Sequence, residues 1–201
     1  MKTTDDARNE GGAQQTGAAE ADERERIVAT TRDWLERAVI GLGLCPFAQG
    51  VHVRNLIRYA VSEQRTPGGL AGDLARELDA LHSTDPAVCE TTLLIHPYVL
   101  NDFDDYNQFL GDADAILAAV GFDGELQIAS FHPAYRFAGT APDDITNYTN
   151  RSPYPLLHLL RESSVTRAVA TFAAVDEIGE RNMQKLRQLG AAGWRALFQR
   201  G

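Results

Sequence analysis

The chain has 201 residues, of which 44% are hydrophobic, so it is long enough to fold around one substantial core. Its formal net charge of −9 at pH 7 and its pI near 5.0 argue against nucleic acid and anionic membrane surfaces as partners, because both require a basic surface. No membrane-spanning helix is expected, since no run of about 18 or more apolar residues is present.

The first residues are polar throughout. Residues 1 to 22 are rich in Gly, Ala, Gln, Asp and Glu, so we predict a disordered tail here and a single α/β domain over residues 23 to 201. A basic and then apolar signal sequence is lacking, which favours a cytoplasmic location. In that reducing compartment the two cysteines, Cys45 and Cys89, are expected to be free thiols.

Hydrophobic spacing predicts helices and strands in alternation. An amphipathic first helix is predicted from Arg24 to Leu44. Strands are then predicted at 55–63, 91–97 and 125–133, and helices at 70–82, 102–120 and 176–199. A further helix is predicted to begin at Ser152 as N-cap with Pro153 in its first position, and residues 166–172 suit either a helix or a fourth strand. This order predicts an α/β fold: a small, mainly parallel sheet of three or four strands covered by helices, with a helical C-terminal portion.

Two of the predicted strands end in the same His-Pro dipeptide. His96 precedes Pro97 and His132 precedes Pro133, and a residue before proline favours extended backbone. In a parallel sheet both imidazoles would leave at the carboxyl edge, where ligands bind. A single histidine there more often only hydrogen-bonds a loop carbonyl. The pair instead favours a catalytic role as general acid or base, because imidazole titrates near neutral pH.

Cys45 is a third catalytic candidate. It follows the first predicted helix, and it would act as a nucleophile if that helix ends over the same crevice; a buried structural thiol is the alternative. Another hypothesis makes His96 and His132 metal ligands, with Cys45 or a carboxylate as the third. No HxxxH, HxH or HExxH spacing supports a metal site, and the sequence leaves the cofactor unknown.

A long polar loop follows His132 and contains APDDITNYTNRSPYP at residues 141 to 155. It also carries aromatic residues, which disordered segments lack, so it is predicted to fold over the sheet as the wall of an active site. Its candidate substrate-binding residues are Asp143, Asp144, Asn147, Asn150, Arg151 and Ser152. Asn and Asp side chains alternatively support tight turns.

Arg151 has the most specific prediction within this loop. It lies just before the helix predicted to begin at Ser152, where a guanidinium and free helix amides would together bind a carboxylate or a phosphate. The alternative is a structural ion pair with Asp143 or Asp144. His158, inside the same predicted helix, is expected to be a core residue or to support the site from behind.

Four segments carry a family resemblance. They are LCPFA at 44–48, TTLLIHP at 91–97, FHPAYRFAGTAPDDITNYTNRSPYPLLHLLRE at 131–162 and ERNMQKLRQLG at 180–190. Through them the chain resembles a family of bacterial proteins grouped as domain of unknown function 1415, over roughly residues 25 to 190. The resemblance implies that family motif positions are occupied by Cys45, His96, His132, Asp143, Asp144, Asn147, Asn150, Arg151, Ser152, His158 and Arg161. It assigns no role to any of them.

The combined prediction is a cytoplasmic enzyme that hydrolyses a small anionic metabolite or transfers a group on it. The loop residues and Arg151 would hold the anion, and His96, His132 and Cys45 would supply the chemistry. Two alternatives remain open: a metal-dependent enzyme with His96 and His132 as ligands, and a non-catalytic small-molecule-binding protein. The oligomeric state has no signal in the sequence.

Overall fold

The computed structural model describes residues 7 to 171 and 175 to 199. The α-helices of this part are α1 (Ala7–Trp34), α2 (Ala48–Val53), α3 (Pro67–Ser83), α4 (Phe103–Ala119), α5 (Glu162–Thr171) and α6 (Val175–Ala196). The strands are β1 (Ile57–Val61), β2 (Thr91–Ile95), β3 (Leu126–Phe131) and β4 (Leu156–Arg161). A π-helical turn, Leu35–Ile40, prolongs α1, and a 3-10 helix, Ile145–Thr149, lies in the long loop.

The four strands form one mixed sheet in the order β1-β2-β4-β3. β1 and β2 are parallel, whereas β4 pairs antiparallel with both β2 and β3. The α/β prediction is confirmed, but the prediction of a mainly parallel sheet is wrong, because β4 is inserted in the opposite direction between β2 and β3. β1, β2 and β3 therefore all point the same way, and the carboxyl ends of β2 and β3 lie at one edge with the start of β4 between them.

β4 occupies the segment for which a helix beginning at Ser152 is predicted, and that prediction is wrong. A central strand is buried on both faces, so it carries apolar residues without alternation and cannot be distinguished from a buried helix by period. Pro153 and Pro155 precede the strand, where a missing N–H is tolerated. Residues 166 to 171 belong to α5, and Phe172 lies outside the described residues.

α1 is longer than the helix that the sequence predicts. Helical backbone begins at Ala7, within the segment predicted to be disordered, and residues 1 to 6 lie outside the described part of the chain. Disorder over residues 1–22 and a single domain over 23–201 stay predictions. Among the described residues, no helix combines the length and the hydropathy needed to cross a lipid bilayer.

Each side of the sheet carries its own hydrophobic core. Leu157 and Leu159 of β4 point to the side of α3 and α4, and Leu156 points to the side of α1. The first side, which we call the α3–α4 face, also buries Leu70, Leu74, Leu78, Tyr106, Phe109 and Ala113. The second side, the α1 face, buries Ile27, Trp34, Leu35, Ala38, Leu93 and Ile95. A side chain at the edge of the sheet therefore contacts one of two separate hydrophobic cores, depending on the face to which it points.

The start of α4 is set by a side-chain cap. Oδ1 of Asp102 accepts hydrogen bonds from the backbone N–H groups of Asp104 and Asp105, at 2.8 and 3.2 Å. Such a cap satisfies amides that have no partner within the helix. It places the first turn of α4, which contains Tyr106, against the carboxyl edge of β2 and β3.

Candidate functional site

His96 and His132 lie at the same edge of the sheet, but not on neighbouring strands. β4 separates β2 from β3, so the two imidazoles reach this edge because β2 and β3 run in the same direction. Both rings contact Tyr106, with centroid distances of 5.7 Å from His96 and 5.0 Å from His132. The two histidines therefore share one aromatic neighbour on the α3–α4 face.

The hydroxyl of Tyr106 joins β3 to β4 at this edge. It donates a hydrogen bond to the carbonyl oxygen of Leu156 at 2.9 Å and accepts one from the N–H of Phe131 at 3.0 Å. Burial raises the pKa of this phenol, so it stays protonated. Tyr106 thus satisfies backbone groups at the end of the β-ladder and holds its ring beside both histidines.

Hydrogen bonds determine the tautomers of both imidazoles. Nδ1 of His132 accepts from the N–H of Ala134 at 3.0 Å, so its proton is on Nε2, which donates to the carbonyl of Leu100 at 3.2 Å. Nδ1 of His96 donates to the carbonyl of Val99 at 3.0 Å, so its lone pair is on Nε2. That Nε2 is buried and has no hydrogen-bond partner among the described residues.

The buried imidazole of His96 makes the stability of the fold depend on pH. Burial lowers its pKa from 6.5 to about 4. Because this folded-state value lies below the unfolded one, stability is fully present above pH 6.5 and is lost as the pH falls toward 4. We expect His96 to steepen the fall in the free energy of unfolding by up to about 1.4 kcal/mol per pH unit in that window.

Urea denaturation at several pH values between 7 and 4 measures this effect. His96→Gln removes the titrating group and is expected to show a flatter pH dependence than the unmodified chain. Equal slopes for the unmodified chain and His96→Gln would contradict the role of His96.

Cys45 lies on the other face of the sheet from both histidines. It packs on the α1 face against the core that contains Trp34 and Ala38, whereas His96 and His132 contact Tyr106 on the opposite face of the sheet. Burial raises the pKa of the Cys45 thiol, which disfavours the nucleophilic thiolate. The structure therefore places Cys45 and the two histidines on opposite faces of the sheet, and its nucleophilic role stays a prediction.

The structure supplies few donors for a metal ion at this edge. Within residues 7–171 and 175–199, no group of three or more His, Cys, Asp or Glu side chains is arranged to hold a metal. Both ring nitrogens of His132 are engaged with backbone groups, which leaves Nε2 of His96 as the available imidazole nitrogen of the pair. The metal-dependent alternative stays a prediction.

His158 lies on β4 rather than in a helix, which corrects its predicted surroundings. The hydroxyl of Thr91 donates to the carbonyl of Leu159 at 2.6 Å, so the Nε2–H of His158 donates to Thr91 Oγ1 at 2.8 Å. Burial lowers the pKa of His158 to about 4. It therefore acts as a neutral link between the central strands β2 and β4.

The long loop is organised by Asn147. This fully buried side chain accepts hydrogen bonds from the N–H of Phe137 at 3.0 Å and from the hydroxyl of Thr140 at 2.7 Å. Its Nδ2 donates to the carbonyl of Ala141 at 2.9 Å. Three loop groups therefore depend on one amide, which holds the loop shape rather than offering its polar atoms to a substrate.

The other acidic and amide candidates of the loop also have local partners or lie in solvent. Nδ2 of Asn150 donates to the carbonyl of Ser130 on β3 at 3.0 Å. Oδ1 of Asp144 accepts from the N–H and the hydroxyl of Thr146, which lowers the pKa of its carboxyl group. Asp143 is exposed. The Asp144 contacts match the turn-forming alternative, whereas Asn150 joins the loop to β3.

A pocket of about 410 Å³ lies on the α1 face, between α1, the long loop and the end of α6. Its walls are mainly rings: Trp34, Pro133, Tyr148, Pro153, Trp194 and Phe198. Its polar lining consists of Thr30, Asp33, Arg151 and Ser152. We call it the aromatic pocket. It includes the residue that follows His132, so it lies at the histidine edge but on the other face of the sheet.

α6 reaches this pocket because two polar side chains bind the segment that follows α1. Nδ2 of Asn182 donates to the carbonyl of Leu44 at 2.7 Å, and Nζ of Lys185 donates to the carbonyl of Leu42. These carbonyls lie beyond the π-helical turn, where the helix supplies no further N–H groups to bind them. The contacts set the position of α6 against α1 and the loop.

The last part of α6 changes direction at Gly190. Its φ of 64° and ψ of 172° interrupt the helix in a region that is essentially restricted to glycine. The turn carries Trp194 onto the ring of Tyr148, with centroids 4.9 Å apart in an edge-to-face arrangement, and Phe198 next to Trp194. These rings form one wall of the aromatic pocket.

Arg151 lies in the part of the wall that the long loop supplies, with its guanidinium held in place. Nε donates to the carbonyl of Tyr135 at 3.2 Å, Nη2 donates to the carbonyl of Pro142, and Cζ lies 4.4 Å from the ring centroid of Tyr148. Among the described residues no carboxylate pairs with Arg151, and Nη1 has no hydrogen-bond partner. The ion pair considered with Asp143 or Asp144 is not formed.

The other half of the predicted anion site is absent from this location. β4 follows Ser152, so no helix N-terminus supplies free amides beside Arg151, and that prediction is wrong. The hydroxyl of Ser152 donates to the carbonyl of Tyr154 at 2.6 Å. Arg151 and Ser152 nevertheless both line the aromatic pocket, so the loop still contributes a cation to it.

A comparison with protein families identifies the chain. The model of a family described as "Protein of unknown function (DUF1415)" matches residues 26–196. The chain belongs to DUF1415. The match confirms the resemblance noted in the sequence, and in this DUF1415 protein it runs from α1 to the last residue of α6. Comparisons with curated proteins and with solved structures gave no match.

Most residues that line the pocket of this DUF1415 protein carry no site signal in the sequence. Trp34 and Trp194, the two tryptophans of the chain, fit helical core positions, and Asp33 carries no motif. The usable signal was the pairing of two rare, large aromatic residues with an Arg-containing loop, but nothing local in the sequence joins α1 to α6. Their meeting depends on the docking of α6.

Proposed function

We propose that this DUF1415 protein binds a small anionic molecule with a flat apolar part in the aromatic pocket. Arg151 supports this proposal: its guanidinium is held in place, no carboxylate among the described residues neutralises it, and it lies among aromatic and proline rings. Ligand sites typically combine apolar walls with a few placed polar groups in volumes of roughly 300–1,000 Å³. The aromatic pocket has this character.

The contacts of Arg151 define how an anion would bind. Its Nη1 carries two N–H groups with no partner in the described part of the chain, and its Cζ already lies 4.4 Å from the ring centroid of Tyr148. An arginine that is held before binding loses little side-chain entropy when it takes a ligand. A carboxylate on Nη1 would leave the apolar part of the ligand to pack on Trp34 and Trp194.

Binding alone is better supported than catalysis at this pocket. Among the described residues, none of the ten that line it is a histidine or a cysteine. The Ser152 hydroxyl donates to a backbone carbonyl, and nothing that lines the pocket is arranged as its base. The non-catalytic alternative from the sequence therefore becomes our first proposal.

An enzyme that hydrolyses the ligand or transfers a group on it is the second candidate. One observation favours it: Nε2 of His96 is a buried acceptor without a partner among the described residues, at the edge that the pocket adjoins. In this proposal His96 takes a proton from a reacting group, and the Nε2–H of His132 would have to leave the carbonyl of Leu100 in order to donate. It requires the loop to move so that the ligand reaches the α3–α4 face.

The two cysteines support a cytoplasmic location, which is part of the proposal. Cys45 and Cys89 are both free thiols, and both are partly buried. Free thiols persist in a reducing compartment, whereas secreted chains tend to pair them. The partner proposed is a small molecule, since a net charge of −9 disfavours nucleic acid and anionic membranes.

Replacement of Arg151 by glutamine tests the proposal. Calorimetric titration with benzoate, indole-3-acetate and 3-phenylpropionate should show that the unmodified chain binds at least one of them. Arg151→Gln is expected to weaken that binding roughly 10- to 100-fold, because a charge-assisted hydrogen bond contributes about 1.5–3 kcal/mol. Arg136→Gln is the matched control: it removes the same charge from the same loop, but Arg136 pairs with Asp104 outside the pocket.

Two results would contradict the proposal: no carboxylate binds, or both arginine variants bind equally well. Mass spectrometry of the ligand after incubation separates the two candidate functions. A ligand recovered unchanged supports binding alone. A chemically altered ligand, with no alteration by His96→Gln, supports the enzyme.

A further inference from the structure

We infer that the ligand of the aromatic pocket is a zwitterion: an α-amino acid with an aromatic side chain, or a compound with the same pattern of charges. This inference rests on the proposed binding function. Asp33 lines the same pocket as Arg151, so the pocket presents one negative and one positive group among aromatic rings. A ligand that carries one carboxylate and one ammonium matches both.

The carboxylate of Asp33 is only half engaged. Its Oδ1 accepts a hydrogen bond from Nε of Arg37 at 2.5 Å, whereas its Oδ2 accepts none within the described ranges. The Asp33 side chain is 44% exposed, so Oδ2 is open to a ligand. An ammonium has three N–H donors and no acceptor, which suits a carboxylate oxygen with free lone pairs.

Arg37 holds Asp33 and the pocket wall together. Besides its bond to Asp33, its Nη1 donates to the carbonyl of Leu197 at 2.9 Å. Leu197 lies between Trp194 and Phe198, the rings that close the pocket on the side of α6. The negative group and the aromatic wall are thus positioned by the same guanidinium, and the site exists before a ligand arrives.

The charge pattern distinguishes a zwitterion from a multiply charged anion. Oδ2 of Asp33 offers lone pairs and no donor, so it suits an ammonium and gives a second anionic group, such as a phosphate monoester, no hydrogen bond. The rings of Trp34 and Trp194 add to this preference, because an ammonium near an aromatic face is stabilised by the ring quadrupole. A single carboxylate on Arg151 and an ammonium toward Asp33 satisfy every charged group that lines the pocket.

The local structure of α1 agrees with a site at Asp33. The helix changes to a π-helical turn at Leu35, directly after Asp33 and Trp34. π-Helical turns are rare and occur frequently at functional sites. Here the turn adjoins the two residues that α1 contributes to the negative end of the pocket.

Three compounds that share a phenyl ring separate the two charge requirements. Phenylalanine has both charges, 3-phenylpropionate has the carboxylate alone, and 2-phenylethylamine has the ammonium alone. In calorimetric titrations of the full chain, phenylalanine should bind at least about 10-fold more tightly than either of the others. This comparison uses the unmodified chain and does not depend on the folding of a variant.

Two variants then assign the ammonium to Asp33. Asp33→Asn keeps an oxygen for Arg37 and should lower the affinity for phenylalanine to that for 3-phenylpropionate, whose own affinity should not change. Asp22→Asn is the matched control, because Asp22 is an exposed residue of α1 that pairs with Arg26 at the same spacing of four. It should change neither affinity.

The outcomes distinguish this inference from the proposed function. If 3-phenylpropionate binds as tightly as phenylalanine, the zwitterion is overturned while the anion site stands. If Asp33→Asn leaves the affinity for phenylalanine unchanged, the assignment to Asp33 is overturned. If none of the compounds with a carboxylate binds, the proposed function is overturned as well.

Discussion

Replacement of Arg161 by methionine is expected to destabilise the folded chain by about 2–3 kcal/mol. Arg161 is the buried last residue of β4, and its Nη2 donates to the carbonyls of Leu81, Thr84 and Cys89, at 2.6, 2.5 and 3.3 Å. Leu81 belongs to the last turn of α3, so the guanidinium also offsets the negative end of the helix dipole. Methionine has a similar volume but no donor, so the carbonyls of Thr84 and Cys89 would lose this partner and the carbonyl of Leu81 would keep the N–H of Thr84.

Equilibrium urea denaturation measures the loss, which corresponds to a fall of roughly 10 °C in Tm for a chain of this length. Arg58→Met is the matched control. Arg58 pairs with Glu77, and its side chain is 53% exposed, so its loss should cost less than about 1 kcal/mol. A similar small effect for Arg161→Met would show that the bonds to the end of α3 contribute little.

Asn147→Ala is expected to cost about 2–4 kcal/mol and to loosen the long loop. The change removes the acceptor for Phe137 N–H and the donor for the Ala141 carbonyl, and it leaves the Thr140 hydroxyl with the Phe137 carbonyl as its acceptor. Each buried group that loses its partner keeps its desolvation cost. Because Tyr148 follows Asn147 and lines the aromatic pocket, ligand binding should weaken in the same variant.

Amide hydrogen exchange over residues 133–155 measures the loosening directly. Protection in this loop should fall in Asn147→Ala, while protection in β2 and β4 should change little. The control is Asn150→Ala, in which a single side-chain bond, to the carbonyl of Ser130, is lost. Unchanged loop protection in Asn147→Ala would rule out this amide as the organiser of the loop.

The sequence by itself determined the elements whose signals are local. α3, α4 and β1 to β3 follow from hydrophobic periodicity and from caps such as Asp102, which act within a few residues. The same local information placed His96 and His132 at strand ends and the chain in its family. The expected common edge for the histidines also emerged, because β2 and β3 do point the same way.

Only the tertiary structure decided where β4 lies and what the aromatic pocket contains. A strand that is buried on both faces has the same apolar pattern as a buried helix. Whether such a segment forms a strand or a helix therefore depends on the neighbouring strands with which it can pair. The pocket joins Asp33, Trp34, Arg151 and Trp194, which come from three separate segments. Those segments meet because Asn182 and Lys185 of α6 bind the backbone carbonyls of Leu44 and Leu42. Hydrophobic periodicity reports local structure and does not predict such long-range contacts.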